Sequence, residues 1–322
     1  MSFDAMEGLK IVKNSEKLKW PPDKNQLAEL ISQYGCSRTA KIYGRSKGSI
    51  YYYCLKFRIP IRSHEEAVFR HPAKDFDRNP HEKMYLCGLI EDYNIYPRSS
   101  RRLRIQSGST RPAFIELTHS VFSKWGHIRE NPEFSRKTLK YYMHVTVTVN
   151  RTFDFLLDYK RGRIEFLEKN IEENLLWDYL SGLIDSEGSI NVVKDDYRAY
   201  VMIKIALSEK SVIDWLKEKI GGYKTSTRGG FQKMNDNYKT IYQLIISYDN
   251  AVNLLLKIRP RHREKLLKRT LILDNLNDLR RAHYLLKKLS QRLNDETQNY
   301  QLYLRQKYIE RHGKPHPLDY RR

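Results

Sequence analysis

Two nine-residue segments decide how this chain folds: LSGLIDSEG at residues 180–188 and LCGLIEDYN at residues 86–94. Each lies in an apolar run with helical periodicity, and each places acidic residues at the carboxyl end of the predicted helix. Gly88 and Gly182 occupy equivalent positions, 94 residues apart. Because glycine has no side chain, the pattern predicts that the two helices cross closely at these glycines, with Leu and Ile side chains packed around the crossing.

Sequence matches on both sides of these segments indicate an internal duplication. Residues 117–125 (LTHSVFSKW) are similar to 207–215 (LSEKSVIDW), and residues 145–157 are similar to 245–256, in the same order and at nearly the same offset. A unit of about 95 residues that occurs twice predicts two similar substructures in one chain. Each copy is predicted to run helix, two strands, helix, two strands, helix. The predicted fold class is therefore α+β, with two αββαββα units related as a pseudo-dimer.

The strands expected in the first copy are 101–107, 111–120 and 140–150, and those in the second are 199–208 and 239–248. Residues 208–222 are predicted to form a helix that glycines end. One face of each sheet is rich in Lys, Arg, Tyr, Ser and Thr, which predicts a surface that contacts nucleic acid. The cations that we expect there are Arg98, Arg101, Arg102, Arg104, Lys194, Lys204 and Arg228.

A separate helical pattern precedes the duplicated part. Ala40, Gly44 and Ile50 follow the spacing of a helix-turn-helix: a small residue at the helix crossing, a turn residue that tolerates positive φ, and an apolar anchor. This all-α domain is predicted to bind the major groove through its second helix. The expected contacts are Arg45, Ser46, Lys47, Ser49, Tyr51 and Tyr52. A three-helix bundle that serves protein contacts is the alternative.

Composition points to a polyanionic partner. Lys and Arg number 59 against 38 Asp and Glu, which gives a formal net charge of +21 at pH 7. Double-stranded DNA is the first expectation, and RNA is the second. A membrane is not expected, because no stretch approaches the roughly 18 apolar residues that span a bilayer. The N-terminal residues lack the apolar core of a secretory signal, so we expect a cytoplasmic, chromosome-associated protein.

Residues 180–188 closely resemble the LAGLIDADG motif, and residues 86–94 resemble a degenerate copy of it. With its repeat, the resemblance to two-motif homing endonucleases of this family covers roughly residues 80–290. It implies a saddle-shaped DNA-binding fold, phosphodiester hydrolysis that depends on Mg²⁺, and a metal-binding acidic residue just before the terminal glycine of each motif.

The resemblance places these roles on few residues. Glu187, followed by Gly188, matches the metal-binding position of the second motif, whereas the first motif has Tyr93 and Asn94 there. Asn94 is expected to end the helix in the left-handed region, in place of glycine. Asp92 lies one residue earlier, about 100° around the helix, so it reaches a metal only if the helix end unwinds or shifts. The candidate metal ligands are Glu187, Gly188 and Asp92.

The family often carries a lysine after the last strand, near the reacting water. Lys265 matches this position in the second copy, whereas Glu165 stands at the corresponding position of the first copy, with Lys160 and Arg163 close by. The candidate catalytic residues are therefore Glu187, Lys265 and Asp92, and the weaker first half favours cutting of one strand.

The sequence divides into a helix-turn-helix domain (1–70), a linker (71–80), a first repeat (81–172), a second repeat (173–285) and a basic helical extension (286–322). Two repeats in one chain predict a monomer. Three functions stay open: an endonuclease or nickase, a DNA-binding regulator without catalysis, and an RNA maturase. Comparing duplex DNA and RNA binding at matched salt separates the last two.

Overall fold

A computed structural model describes residues 20–61, 73–228 and 240–321. The chain forms two compact units, Met1–Pro72 and Ala73–Arg322. In the smaller unit, α1 is Lys24–Ile42 and α2 is Lys47–Lys56. Gly35 (φ 70°) divides α1 into two helical segments, so residues 20–61 contain three helical segments.

The core of the small unit follows the predicted spacing. Ala40 and Ile50 are buried, and Gly44 has a φ of 61° in the turn between the helices. The Ser46 hydroxyl accepts a hydrogen bond from the Ser49 amide at 3.1 Å, which caps the start of α2. The local geometry therefore agrees with the pattern read from the sequence, while DNA binding by this unit stays a prediction.

The larger unit contains two αββαββα repeats with additional helices. The first repeat consists of α3 (Pro80–Leu89), β1 (Asn94–Ser99), β2 (Arg102–Ser109), α4 (Pro112–Phe122), β3 (His127–Ser135), β4 (Lys140–Asn150), α5 (Phe155–Arg161) and α6 (Arg163–Asn170). The second consists of α7 (Glu173–Glu187), β5 (Gly188–Lys194), β6 (Ala199–Leu207), α8 (Lys210–Ile220), β7 (Tyr223–Arg228), β8 (Thr240–Ser247), α9 (Tyr248–Lys257) and α10 (Arg263–Leu273). A last helix, α11, spans Leu279–His312.

Both sheets have four antiparallel strands and the same topology, β1-β2-β4-β3 and β5-β6-β8-β7. On the central strands, alternate residues such as Val147 and Ile203 are buried against the helices. The residues between them, such as Thr146 and Lys204, lie on the opposite, partly exposed face. The α+β class and the duplicated αββαββα order predicted from the sequence are confirmed.

One predicted strand is wrong. Residues 111–120 do not form a strand, because α4 begins at Pro112, a residue that suits the first turn of a helix and lacks an amide for a sheet. Phe114, Leu117 and Val121 are buried at helical spacing, and the Thr118 hydroxyl donates to the Phe114 carbonyl at 3.0 Å. The prediction also missed the edge strands of both sheets, β1, β3, β5 and β7. Two of them, β1 and β3, contain proline, which weakens their signal.

The two repeats meet where α3 and α7 cross at the predicted glycines. A methyl group on Gly88 would lie 2.6 Å from the Leu183 amide nitrogen, and one on Gly182 would lie 2.8 Å from the Leu89 amide nitrogen. The Ser186 hydroxyl also donates to the Gly88 carbonyl at 3.1 Å. Backbone-to-backbone packing therefore fixes the crossing and brings the carboxyl ends of both helices together. This is the pseudo-dimer of two αββαββα units expected from the two motifs.

Helix α11 contacts both repeats. His283 Nδ1 lies 2.9 Å from the Val192 carbonyl of β5, and the Gln301 amide donates to the Tyr141 carbonyl of β4 at 2.8 Å. The helix is continuous across residues 285 and 286, where the sequence analysis places a boundary. Within the described part of the chain, no helix combines the length and the apolar character of a membrane span.

Candidate functional site

The candidate site lies where the carboxyl ends of α3 and α7 meet. Helix α3 ends at Leu89 and continues as a 3₁₀ turn, Ile90–Asp92, whereas α7 remains helical to Glu187. The tighter turn rotates Asp92 further around the axis than an α-helix would, and the Ser107 hydroxyl holds the Asp92 carbonyl at 2.7 Å. The carboxyl groups of Asp92 and Glu187 are hydrogen-bonded to each other. From the sequence, Asp92 is expected to reach a metal only if the helix end unwinds or shifts. The 3₁₀ turn at Ile90–Asp92 is such a change.

Tyr93, which occupies the motif position equivalent to Glu187, faces the core instead. Its ring stacks on Phe114 with 5.3 Å between ring centroids, and its hydroxyl lies 2.7 Å from the Thr118 hydroxyl. Burial raises the pKa of this phenol well above its usual range. Tyr93 thus packs in the core of the first repeat, and Asp92 is the carboxylate of the first motif that lies beside Glu187.

The predicted helix stops differ from the structure. Asn94 is not a left-handed helix cap: it begins β1 in extended conformation, paired with Gln106. Gly188 is also extended (φ −91°, ψ 156°) and begins β5. A side chain there would meet the Ile184 Cα at 2.6 Å, so close packing rather than a left-handed turn requires this glycine. As a ligand, Gly188 offers only its carbonyl oxygen.

Burial and mutual repulsion raise the pKa values of the paired acids. Burial raises the pKa of Glu187 to about 7, and the neighbouring Asp92 carboxylate acts in the same direction. Burial also raises the pKa of Asp92, while its hydrogen bond to Glu187 and the charges of Lys265 and Lys160 oppose the shift. The negative ends of two helix dipoles disfavour carboxylates at this place as well. A divalent cation between the two acids would offset all of these costs.

Lys265, in the first turn of α10, lies beside this pair. Its ammonium donates hydrogen bonds to the carbonyls of Ile184, Asp185 (2.6 Å) and Ser186 (3.4 Å) and so caps the end of α7. Burial lowers its pKa to about 8, although the charges of Asp185, Asp92 and Glu187 act in the opposite direction. The structure therefore brings Lys265 to the acids and also gives it a structural task.

A second lysine, Lys160, approaches the acids from the first repeat. It donates to the Glu91 carboxylate at 3.3 Å, and its charge acts on both Asp92 and Glu187. Arg163 binds the same Glu91 carboxylate through two nitrogens, at 2.9 and 2.8 Å. Glu165, the counterpart of Lys265 by alignment, is exposed. Carrying Lys265 over to the first repeat by a constant offset of 100 residues therefore pointed to Glu165 and did not identify Lys160.

The remaining acids of the motifs are structural. Asp185 accepts hydrogen bonds from the Tyr85 hydroxyl and the Arg261 amide, both at 2.6 Å. Its counterpart Glu91 accepts one from the Tyr159 hydroxyl at 2.8 Å. Protein donors therefore engage both carboxylates, although Asp185 Oδ1 is buried without a hydrogen-bond partner among the described residues. Neither Asp185 nor Glu91 is a ligand predicted from the sequence, because the resemblance places the metal-binding acid just before the terminal glycine of the motif.

The two paired carboxyls are the acidic part of any metal site here. Among the described residues, no group of three or more His, Cys, Asp or Glu side chains is placed to hold a metal ion. A pair of carboxylates nevertheless fits Mg²⁺, which is usually held by one or two carboxylates together with water and substrate phosphates. The donor set at Asp92 and Glu187 is therefore compatible with the expected cofactor.

The predicted nucleic-acid contacts lie on the polar sheet faces or at strand ends. Arg104 on β2 and Lys204 on β6 are flanked by buried residues, so their side chains belong to the opposite face. The guanidinium of Arg104 lies over the Tyr96 ring at 5.8 Å. The other predicted cations lie on or beside the strands of the two sheets: Arg98, Arg101, Arg102, Lys194 and Arg228.

In the small unit, the predicted contacts lie on and before α2. Arg45, Ser46 and Lys47 are exposed, and Ser49 is partly exposed. Tyr51 and Tyr52 expose 48% and 60% of their surface, which is high for tyrosine and leaves both rings accessible to a ligand.

No protein-family model matches the chain, and no curated protein matches it. Similar solved structures include I-SmaMI bound to an uncleaved DNA target in the presence of calcium ions, with 12% identity, a TM-score of 0.36, and coverage of 67% of this chain and 99% of that one. Another is the homing endonuclease I-WcaI bound to its DNA recognition sequence, with 15% identity, a TM-score of 0.40, and coverage of 58% and 86%. A third is the LAGLIDADG meganuclease I-AabMI bound to uncleaved DNA, with 12% identity, a TM-score of 0.36, and coverage of 66% and 97%.

Proposed function

We propose that this chain is a two-motif endonuclease of the LAGLIDADG kind, which binds a specific site in double-stranded DNA and hydrolyses it with a divalent cation, Mg²⁺. The contact between Asp92 and Glu187 carries the proposal. One acid comes from each repeat, and both stand at the crossing of the motif helices. The formal charge of +21 fits a polyanionic substrate.

The charged form of the paired acids destabilises the folded protein. Glu187 is only partly exposed to water, whereas Asp92 is exposed. Each acid lies at the negative end of a helix, and each repels the other. Such an arrangement is typical of functional sites, where binding of a ligand repays the cost. Asp92 and Glu187 would hold the cation, which when bound supplies Lewis-acid activation of the phosphate and of water.

Lys265 and Lys160 then provide positive charge on the two sides of the acid pair. Each lysine acts electrostatically on both acids, one from the second repeat and one from the first. Their role is to stabilise the charge that develops on the phosphate as the bond breaks. Since Asp92 and Lys160 give the first repeat an acid and a cation of its own, we favour cutting of both strands over a nick.

One observation favours a second function, DNA binding without catalysis. The Lys265 ammonium is occupied by three backbone carbonyls of α7, which is the arrangement of a structural cap. A regulator that retained the fold would keep this cap, since the end of α7 needs it in either case.

Selection of bound duplexes from a randomised pool tests the proposal. The winning site is then compared with RNA of the same sequence at matched salt, and both DNA strands are end-labelled and incubated with Mg²⁺. We expect preference for the DNA duplex and cutting at one position on each strand. A tightly bound site that stays intact with every divalent cation would instead establish the regulator, and preference for RNA would overturn the DNA assignment.

A further inference from the structure

The first half of α11 presents a basic face. Residues 279–294 contain five Lys or Arg and no Asp or Glu. All five cations are exposed, together with Tyr284, which exposes 56% of its surface. We call this surface the basic face of α11; its cations are Arg280, Arg281, Lys287, Lys288 and Arg292.

These cations occupy one side of the helix. At about 100° per residue, they fall within an arc of roughly 140°. Ala282, Leu286 and Leu293 point the other way and are buried in the core of the large unit. The helix is therefore anchored by its apolar side, and its cationic side is directed outward.

The positions of these cations carry a cost for the helix, although Lys288 lies over the Tyr284 ring at 4.6 Å. Arg280 and Arg281 stand in the first turn, where the helix dipole disfavours positive charge. Lys288 and Arg292 are one turn apart and repel each other. Among the described residues, no carboxylate lies within ion-pair distance of the five cations.

The second half of the same helix is different. There the charged residues pair with acids: Arg305 with Asp319 at 2.6 Å, and Lys307 with Glu310 at 2.9 Å. Glu296 binds Arg263 of α10. Acids within the protein thus pair with charges of this half, whereas the described residues place no carboxylate within ion-pair distance of the five cations in the first half.

The basic face is continuous with the second sheet. The Arg280 guanidinium donates to the Tyr197 carbonyl in the β5–β6 turn at 3.1 Å, and His283 contacts the Val192 carbonyl of β5 at 2.9 Å. Strand β5 ends at Lys194, one of the predicted DNA contacts. A duplex that lies on the sheet and extends past this end would meet the helix.

We propose that the basic face of α11 binds backbone phosphates of duplex DNA outside the segment that the sheets contact. From Arg280 to Arg292 the helix is about 18 Å long. Over that length a duplex carries about ten phosphate charges, enough to engage all five cations. The inference rests on the proposed DNA-binding function, and it adds a contact that does not depend on the DNA sequence.

A matched pair of double variants tests it. Lys288→Gln with Arg292→Gln removes one lysine and one arginine from the basic face, and Lys307→Gln with Arg311→Gln removes the same charges from the second half of α11. Circular dichroism and thermal unfolding establish that both variants fold. Each is titrated with the selected duplex, carried on long flanks, over a series of salt concentrations, and its hydroxyl-radical footprint is recorded.

We expect the first variant to bind several-fold more weakly at low salt. Its slope of log K against log salt should fall by about 1 to 2, because up to two phosphate contacts are lost. Its footprint should shorten at one end only, while the control variant keeps the wild-type slope and footprint. Unchanged binding, slope and footprint in the first variant would overturn the proposal for α11 and leave the proposed function intact. Failure of the wild-type protein to bind any selected duplex would overturn both.

Discussion

At the residue scale, the charge of the Glu187 carboxylate opposes the stability of the fold. The folded protein keeps a proton on Glu187 up to about pH 7, whereas an unfolded chain loses it near the ordinary value of 4.5. Stability should therefore fall as the pH rises from about 4.5 to about 7, and then level off. Asp92, whose pKa is also raised, contributes in the same direction.

Glu187→Gln should remove most of this loss. We expect the variant to match the wild type near pH 4.5 and to be more stable by about 1–3 kcal/mol at pH 8, because the neutral amide avoids the burial of charge. Urea unfolding followed by tryptophan fluorescence measures the difference, since three of the four tryptophans lie in the large unit. Equal stability of the two proteins at pH 8 would show that burial and Asp92 do not penalise the Glu187 carboxylate.

Lys265 should behave in the opposite way. Lys265→Ala leaves three carbonyls at the end of α7 without their donor, so we expect a loss of about 2–4 kcal/mol in the free energy of unfolding. The exposed Lys217→Ala on α8 serves as the control, with a change below about 0.5 kcal/mol. A Lys265 variant as stable as this control would mean that the cap contributes nothing to the fold.

At the scale of elements, the crossing of α3 and α7 tolerates no side chain. Gly182→Ala would place a methyl group against the Tyr85 carbonyl and 2.8 Å from the Leu89 amide, where only backbone could move. We expect a loss of at least about 3 kcal/mol or failure to fold. Gly48→Ala in α2 is the control, because its nearest atom lies 3.8 Å away and alanine favours a helix. Thermal unfolding of both variants gives the comparison, and an unaffected Gly182 variant would refute the close crossing.

The elements also show what a single sequence can and cannot predict. The glycine-bearing helices and the central strands β4 and β6 were predictable, because their apolar spacing is regular and their faces are buried on one side only. Helix α4 was mistaken for a strand, since a short apolar run around Phe114 and Ile115 fits either period. All four edge strands, β1, β3, β5 and β7, were missed. In β1 and β3 a proline and little buried surface weaken the pattern, whereas β5 and β7 are short, with seven and six residues.

The candidate site was predictable only where a motif or the repeat pattern identifies the residue. Glu187 could be found from the motif, and Lys265 from its position after the last strand. Asp92 could be named only on the condition that the end of its helix unwinds or shifts. The 3₁₀ turn that meets this condition depends on a tertiary contact, the Ser107 hydrogen bond to the Asp92 carbonyl. The position of Lys160 beside the acids depends on how α5 packs next to Glu91. Comparing the two repeats residue by residue does not reveal that packing.

At the scale of the whole molecule, we propose that the small unit extends the recognised site. Lys47→Gln with Tyr52→Ala on α2 should lower the affinity for the full selected duplex about 10-fold and shorten its footprint, because a phosphate contact and an exposed ring are removed. The cutting rate of saturated DNA should not change. Lys24→Gln on the exposed side of α1 is the control. Wild-type affinity and footprint in the α2 variant would indicate that this unit serves another partner.

The central claim is that one carboxylate from each repeat forms a single reaction centre. Cleavage of the selected duplex by the wild type, Asp92→Asn and Glu187→Gln, with both strands resolved on a denaturing gel in Mg²⁺, tests it most directly. We predict that the wild type cuts both strands, and that each variant binds normally but cuts at least about 100-fold more slowly, as expected when a group that holds the metal is removed. Wild-type cutting by either variant would contradict the claim, because the pair would then not be the reaction centre.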